Sequence, residues 1–264
     1  MTVDVGWAIP QLTAFMLVVA RLSGLFLLAP VFSSGMIPLR IKLMALLALG
    51  FTITPLAVGS DVSALAVPTE AFDLGVAMFK ESLIGLAMGF AVSIIFTAVQ
   101  VGASLIDASI GFAMANIIDP LNGSQNAIFG SFYTMVATLS FLAVNGHHWM
   151  LAGFTRSFDV VGVDEIPNFS QVYTNVFEIF SQLFLVAFQI AAPVLVTLLL
   201  VDVVLGIVAR AVPQMNVFFV GLPLKIGVGL AAVVIALPSF VSFFEQRISD
   251  IVTGASVLAK AAGT

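Results

Sequence analysis

Six long apolar runs dominate the chain, at about 11–30, 41–59, 74–100, 127–146, 176–205 and 214–244. Several reach the roughly 20 apolar residues that cross a bilayer as a helix. None alternates polar and apolar residues with a period of two, as the strands of a membrane barrel do. The pattern therefore predicts an all-α, multi-helix membrane protein. The intervening stretches are short and punctuated. Residues 31–40 hold Ser33-Ser34-Gly35 and Pro38, and residues 59–73 hold Asp61, Pro68, Glu70 and Asp73. A weakly polar stretch spans 101–126, the longest connection spans 147–175, and a turn is expected near 206–225. No tandem repeat or domain linker is evident, so 1–264 is expected to be a single membrane domain.

The few polar residues inside the apolar runs form rows. Ser93, Thr97, Gln100, Ser104 and Asp107 recur at helical spacing, and Gly111 continues the row. A second row is Gln171, Asn175, Glu178, Gln182 and Gln189, with Leu185 in the missing turn. A third is Ser131, Thr134, Thr138 and Asn145. Hydrogen-bonding side chains are costly against lipid tails, so these faces are expected to meet protein or water. The third row fits ordinary packing inside a bundle. Asp107 and Glu178 tilt the other two toward a large assembly or an aqueous lumen. One helix over 74–118 would far exceed a ~30 Å hydrocarbon core. Either it breaks near Gly102 or part of it stands clear of the bilayer.

Composition strengthens the membrane reading. The chain is 61% hydrophobic and 9% charged, with a mean hydropathy of +1.17. A soluble domain carries about 25% charged residues. A net charge of −5 argues against nucleic acid as a partner. The absence of cysteine excludes disulfides, thiol catalysis and thiolate metal sites. No phosphate-loop or H-E-x-x-H motif is present, and no cofactor or metal is expected. Residues 1–10 carry Asp4 and no Lys or Arg, so the first run is expected to be retained rather than cleaved as a signal. Arg40, Lys42, Arg210 and Lys225 fall on one side if six segments alternate, which places those turns in the cytoplasm. Arg156, Arg247 and Lys260 oppose that orientation.

Candidate chemistry is sparse. His147-His148 are adjacent and point to different helix faces, which suits a helix end at an interface, with Trp149 as anchor, better than a metal site. Arg21 lies deep in the first run. It either snorkels to the interface or pairs with a carboxylate, for which Asp202 is a possible partner by charge. Lys80-Glu81 reads as a charged helix end in preference to a proton relay. Gly85-x-x-x-Gly89 allows close helix approach. The 108–126 stretch mixes small, apolar and polar residues and carries strong turn chemistry in Asp119-Pro120 and Asn122-Gly123. It is either an interfacial loop or a pore-lining plug. In the second case Ile110, Phe112, Met114, Ile117 and Ile118 supply an apolar seal, and Met suits a seal that re-packs.

These residues resemble one family in ordered succession. The matching pieces are Arg21-Leu-Ser-Gly24, Ala29-Pro30-Val-Phe-Ser-Ser34 and Ile37-Pro38-Leu-Arg40. They continue with Gly102 to Asp107, Gly111-Phe112, Asp119-Pro120 and Asn145-Gly-His-His148. Ser157-Phe158, Asp202 with Leu205-Gly206, and Arg210-x-x-Pro213-Gln-Met-Asn216 complete the set. The chain is similar, over about 11–244, to the R component of the flagellar type III export gate and its virulence-secretion counterparts. The resemblance implies a non-enzymatic structural and gating subunit at the flagellar basal body in the bacterial inner membrane. It implies helical hairpins packed into a hetero-oligomeric helical assembly with components P and Q and the switch component B. Flagellar export substrates pass through the pore of that assembly. The family's plug loop maps onto 108–122, so Ile110, Gly111, Phe112, Ala113, Met114, Asn116, Ile117, Ile118, Asp119 and Pro120 become expected gate residues. Arg21, Arg40, Gln100, Asp107, Glu178, Asp202 and Arg210 become expected assembly or buried polar positions. One rival is a small-solute secondary transporter coupled through Arg21, Glu178 and Asp202, although no matching halves are visible. The other is an intramembrane enzyme built on His147 and His148.

Overall fold

The computed structural model describes residues 8–35, 37–58, 70–112, 128–163 and 169–262. Every regular element among them is an α-helix. In chain order these are α1 (Ala8–Leu28), α2 (Pro30–Ser33), α3 (Leu39–Val58) and α4 (Ala71–Ile110), followed by α5 (Ile128–Ala143), α6 (Gly146–Arg156), α7 (Phe169–Ala211) and α8 (Val217–Ala262). Five helices are long and apolar enough to span a membrane: α1, α3, α4, α7 and α8. The fourth apolar run is the 16-residue α5, and the connection expected over 147–175 instead opens with the helix α6. Asn145 adopts the left-handed conformation at φ 56° there, and its carbonyl accepts from the N–H groups of His148 and Trp149.

Three helices are far longer than a bilayer requires. α4 has 40 residues, α7 has 43 and α8 has 46. At ~1.5 Å per residue each is about 60 Å or more, twice a ~30 Å core. α4 runs through Gly102 without a break, so of the two alternatives for 74–118 the uninterrupted one holds as far as Ile110. It closes at Gly111, whose φ of +105° only glycine adopts at little cost. The N–H groups of Gly111 and Phe112 both return to the Asp107 carbonyl, a Schellman-type ending. The turn expected over 206–225 shrinks to 212–216, because α7 and α8 absorb its flanks. α7 continues through Pro193 and α8 through Pro223 and Pro238, as apolar membrane helices tolerate.

The helices divide between two compact units. The first comprises residues 1–94, 145–180 and 248–264, and the second comprises 95–144 and 181–247. In the first, α1 packs on α3, and α3 touches α6. Leu22, Leu25, Phe26, Met88, Met150 and Phe154 lie in its core. Gly24 and Gly85 set the approach of α1 to α4. A Cβ on Gly85 would strike the Arg21 carbonyl, and one on Gly24 would strike the Ser82 carbonyl. The Gly85-x-x-x-Gly89 pair therefore brings the two backbones into direct contact. In the second unit an aromatic cluster joins α4, α5 and α8. Phe96 meets Phe141 and Phe244 edge-on at 5.7 and 5.5 Å, and Tyr133 meets Phe240 at 4.8 Å.

Candidate functional site

Two buried polar constructions stand out, one in each unit. In the first unit α1 places Arg21 in the core with its side chain fully buried. Its Nε donates to Glu81 Oε2 at 2.5 Å. One terminal nitrogen donates to Ser157 Oγ and the other to the Val161 carbonyl, both at 3.1 Å. The guanidinium also stacks 3.9 Å from the Phe158 ring. Ser157 in turn donates to the Phe154 carbonyl. Glu81 Oε1 takes no hydrogen bond among the described residues and faces the Lys80 ammonium at 3.6 Å. Lys80 also donates to the Val163 carbonyl at 3.3 Å. One charged cluster thus ties α1, α4, the end of α6 and the turn at 157–163 together. A planar guanidinium suits this task because it can meet several acceptors at fixed angles. Desolvating two charges is costly, and a buried pair persists only when its geometry and hydrogen bonds are this complete.

This cluster corrects two expectations. The carboxylate partner of Arg21 is Glu81, not Asp202. Glu81 is also not at a helix end. It lies in the second decade of α4 and is fully buried. Asp202 instead pairs with Lys225 in the second unit, at 2.6 Å, with both side chains partly exposed.

In the second unit Asp107 governs both described borders of the 113–127 segment. Its backbone carbonyl closes α4, as above. Its carboxylate accepts from the N–H of Phe129 at 3.2 Å and from that of Gly130 at 3.3 Å. Asp107 therefore caps α5 from another helix, satisfying donors that the first turn of a helix leaves unmet. Phe112 and Phe129 add a ring contact at 6.0 Å. Ile110 is fully buried and packs over Gly229 of α8. Among the expected gate residues, Ala113, Met114, Asn116, Ile117, Ile118, Asp119 and Pro120 lie outside the described residues.

The polar rows face outward. Thr97, Gln100 and Ser104 are exposed, and the row turns inward only at Asp107. Glu178, Gln182 and Gln189 are exposed on α7. Ser131 of the third row is exposed, whereas Thr134 and Thr138 are half-buried and donate to carbonyls one turn back. Arg40 and Arg210 are exposed. Of the seven expected assembly or buried polar positions, Arg21 and Asp107 are interior, and the other five lie on the outside of the chain. His147 and His148 occupy the first turn of α6, and no group of three or more metal-ligating side chains gathers among the described residues. Sequence reasoning missed Ser157 and Val161 as partners of Arg21. The Ser157-Phe158 pair in the matching motifs was the available signal.

The model of the family described as bacterial export proteins, family 1, matches residues 12–251. The chain belongs to that family. It is 40% identical over 229 residues to the flagellar biosynthetic protein FliR of Bacillus subtilis (strain 168), covering 85% of this chain and 86% of that protein. It is 29% identical over 231 residues to FliR of Escherichia coli (strain K12), covering 88% and 87%. The surface presentation of antigens protein SpaR of Shigella sonnei is 33% identical over 211 residues, covering 78% and 77%. The match extends over all five long helices, the α5–α6 pair and both buried constructions. As a family member this chain is a membrane-embedded component of a bacterial export apparatus.

Proposed function

We propose that this chain is a structural and gating subunit of the flagellar type III protein export channel, required for flagellum assembly. It works as one export-gate unit over 1–264, with no catalytic role. It resides in the bacterial inner membrane at the basal body, joined to components P and Q and the switch component B. Flagellar subunits pass through the pore of that assembly. The observation that carries this reading is the family match across 12–251, with full-length relatives named for flagellar biosynthesis and surface presentation of antigens. The exposed polar rows on helices of about 60 Å support it, because such faces suit neighbouring subunits or an aqueous lumen better than lipid. A solute transporter coupled through Arg21, Glu178 and Asp202 gains no support. Arg21 and Asp202 each already hold a partner of opposite charge within a separate unit.

The gate is proposed to be the loop after α4. Phe112, Met114, Ile117 and Ile118 form an apolar seal against ions and small solutes, and Asp107 fixes its borders. Deleting this gene in its own bacterium should abolish secretion of flagellar subunits, and the intact gene should restore it. Undiminished secretion would refute the export role. Removing 113–118 while keeping Ile110 and Asp107 should leave secretion possible and make cells permeable to small solutes. Unchanged permeability would refute the seal.

A further inference from the structure

The helix α3 combines bilayer length with sparse burial. Its 20 residues give a length of about 30 Å, the thickness of a hydrocarbon core. In its most apolar window 17% of residues are buried, against 22% in α8, 28% in α7 and 56% in α1 and in α4. Its buried residues are Leu46, Gly50 and Ile53. The opposite face exposes Ile41, Met44, Leu47, Phe51 and Leu56. No amide, carboxylate or ionic side chain lies between Leu43 and Val58. The hydroxyls there are satisfied within the helix. Thr52 donates to the Ala48 carbonyl at 2.9 Å, and Thr54 donates to the Gly50 carbonyl at 2.6 Å. Nothing polar on this face requires water or a partner. The cations sit at one end only, Arg40 exposed and Lys42 half-buried.

The exposed faces of α4 and α7 carry the amides of Gln100, Gln182 and Gln189. Each amide has two donors and an acceptor that hydrocarbon cannot meet. The outward surface of the chain therefore sorts by chemistry into stretches that need polar neighbours and stretches that need none, the α3 face among the latter.

We infer that the outward face of α3 is a contact of the chain with lipid acyl chains, with Arg40 and Lys42 seated among anionic headgroups at one interface. The cationic end matches the negative surface of a bacterial membrane, and basic residues at a helix end gain from that surface potential. The inference stands whether or not the chain exports protein.

The chain has no cysteine, so single-cysteine variants report on chosen positions without background. Leu47→Cys, Phe51→Cys and, for contrast, Gln100→Cys would be nitroxide-labelled in the full chain. The labelled chain, with whatever it co-purifies with, would be placed in nanodiscs of phosphatidylethanolamine and phosphatidylglycerol. Collision rates with oxygen and with a water-soluble nickel chelate would be compared by spin relaxation. At 47 and 51 oxygen should exceed the nickel chelate several-fold, and at 100 that excess should be absent. Low access to both reagents at 47 and 51 would mean that a protein partner covers the face, and this would overturn the inference. Excess nickel access would mean water there and would equally overturn it, as would an equal oxygen excess at position 100. If a cysteine variant fails to assemble, Phe51→Trp serves instead. With Trp7 and Trp149 replaced by Phe, its fluorescence should be quenched by acyl-brominated lipid, and absence of quenching would overturn the assignment.

Discussion

Removing one member of the Arg21–Glu81 pair should cost far more than removing both. In Glu81→Leu the guanidinium stays buried and keeps Ser157 Oγ and the Val161 carbonyl, but loses its counter-ion. In Arg21→Met the carboxylate stays buried with only the Lys80 ammonium at 3.6 Å. Both side chains are fully buried in the wild type, so solvent cannot screen the orphaned charge. Breaking one partner of such a pair destabilises by about 3–5 kcal/mol. At roughly 2–4 °C per kcal/mol for a chain of this size, Tm should fall by about 10 °C. The double variant Arg21→Met/Glu81→Leu replaces the ions with apolar groups of similar volume and should recover most of that loss. The remaining cost comes from the unmet Ser157 and Val161 acceptors, about 1 kcal/mol each. Thermal denaturation in mild detergent, followed by fluorescence-detected size exclusion, supplies all four corners of a double-mutant cycle. Two additive single effects, or single variants as stable as the wild type, would refute the view that the pair holds α1, α4 and the 157–163 turn together.

Three further outcomes follow from the same geometry. Gly85→Ala should prevent α1 from closing on α4, because its Cβ would occupy the position of the Arg21 carbonyl; the variant should fail to accumulate in membranes, as a quantitative immunoblot would report. Asp107→Asn keeps the shape but loses the charge that accepts from the Phe129 and Gly130 N–H groups, and should cost about 1 kcal/mol in the same thermal assay. Tyr133→Phe should be neutral or slightly stabilising there, since the buried Tyr133 hydroxyl has no hydrogen-bond partner among the described residues.

Much of the helical layout was legible because hydropathy records it directly. Each of the six apolar runs corresponds to a single helix, several extended at their ends where weakly polar residues such as Ser104 and Asp107 continue the helical row. The run at 127–146 ends where Asn145-Gly146 permits a left-handed residue, and α6 beyond it read as connection because His147, His148, Thr155 and Arg156 lower its hydropathy. The partner of Arg21 was illegible for a different reason. Glu81 stands 60 residues away beside Lys80, and adjacent opposite charges read as a solvated helix end. The close approach permitted by Gly24 and Gly85 buries that carboxylate, and neither glycine announces which helix it meets. Asp202 was attractive as a partner by charge alone, yet Lys225 across the short 212–216 turn is nearer along the chain and satisfies it. The role of Asp107 was half legible. Its place in a polar row marked it as meeting protein or water, but capping a helix that begins 21 residues later depends on the path of the chain between.

The central claim, that this chain is one subunit of a multi-component export gate, is tested most directly by native mass spectrometry of the chain co-expressed and co-purified with candidate P and Q components. The account predicts a discrete hetero-oligomer that contains this chain in fixed stoichiometry. A chain that flies alone, or only with copies of itself, would contradict it.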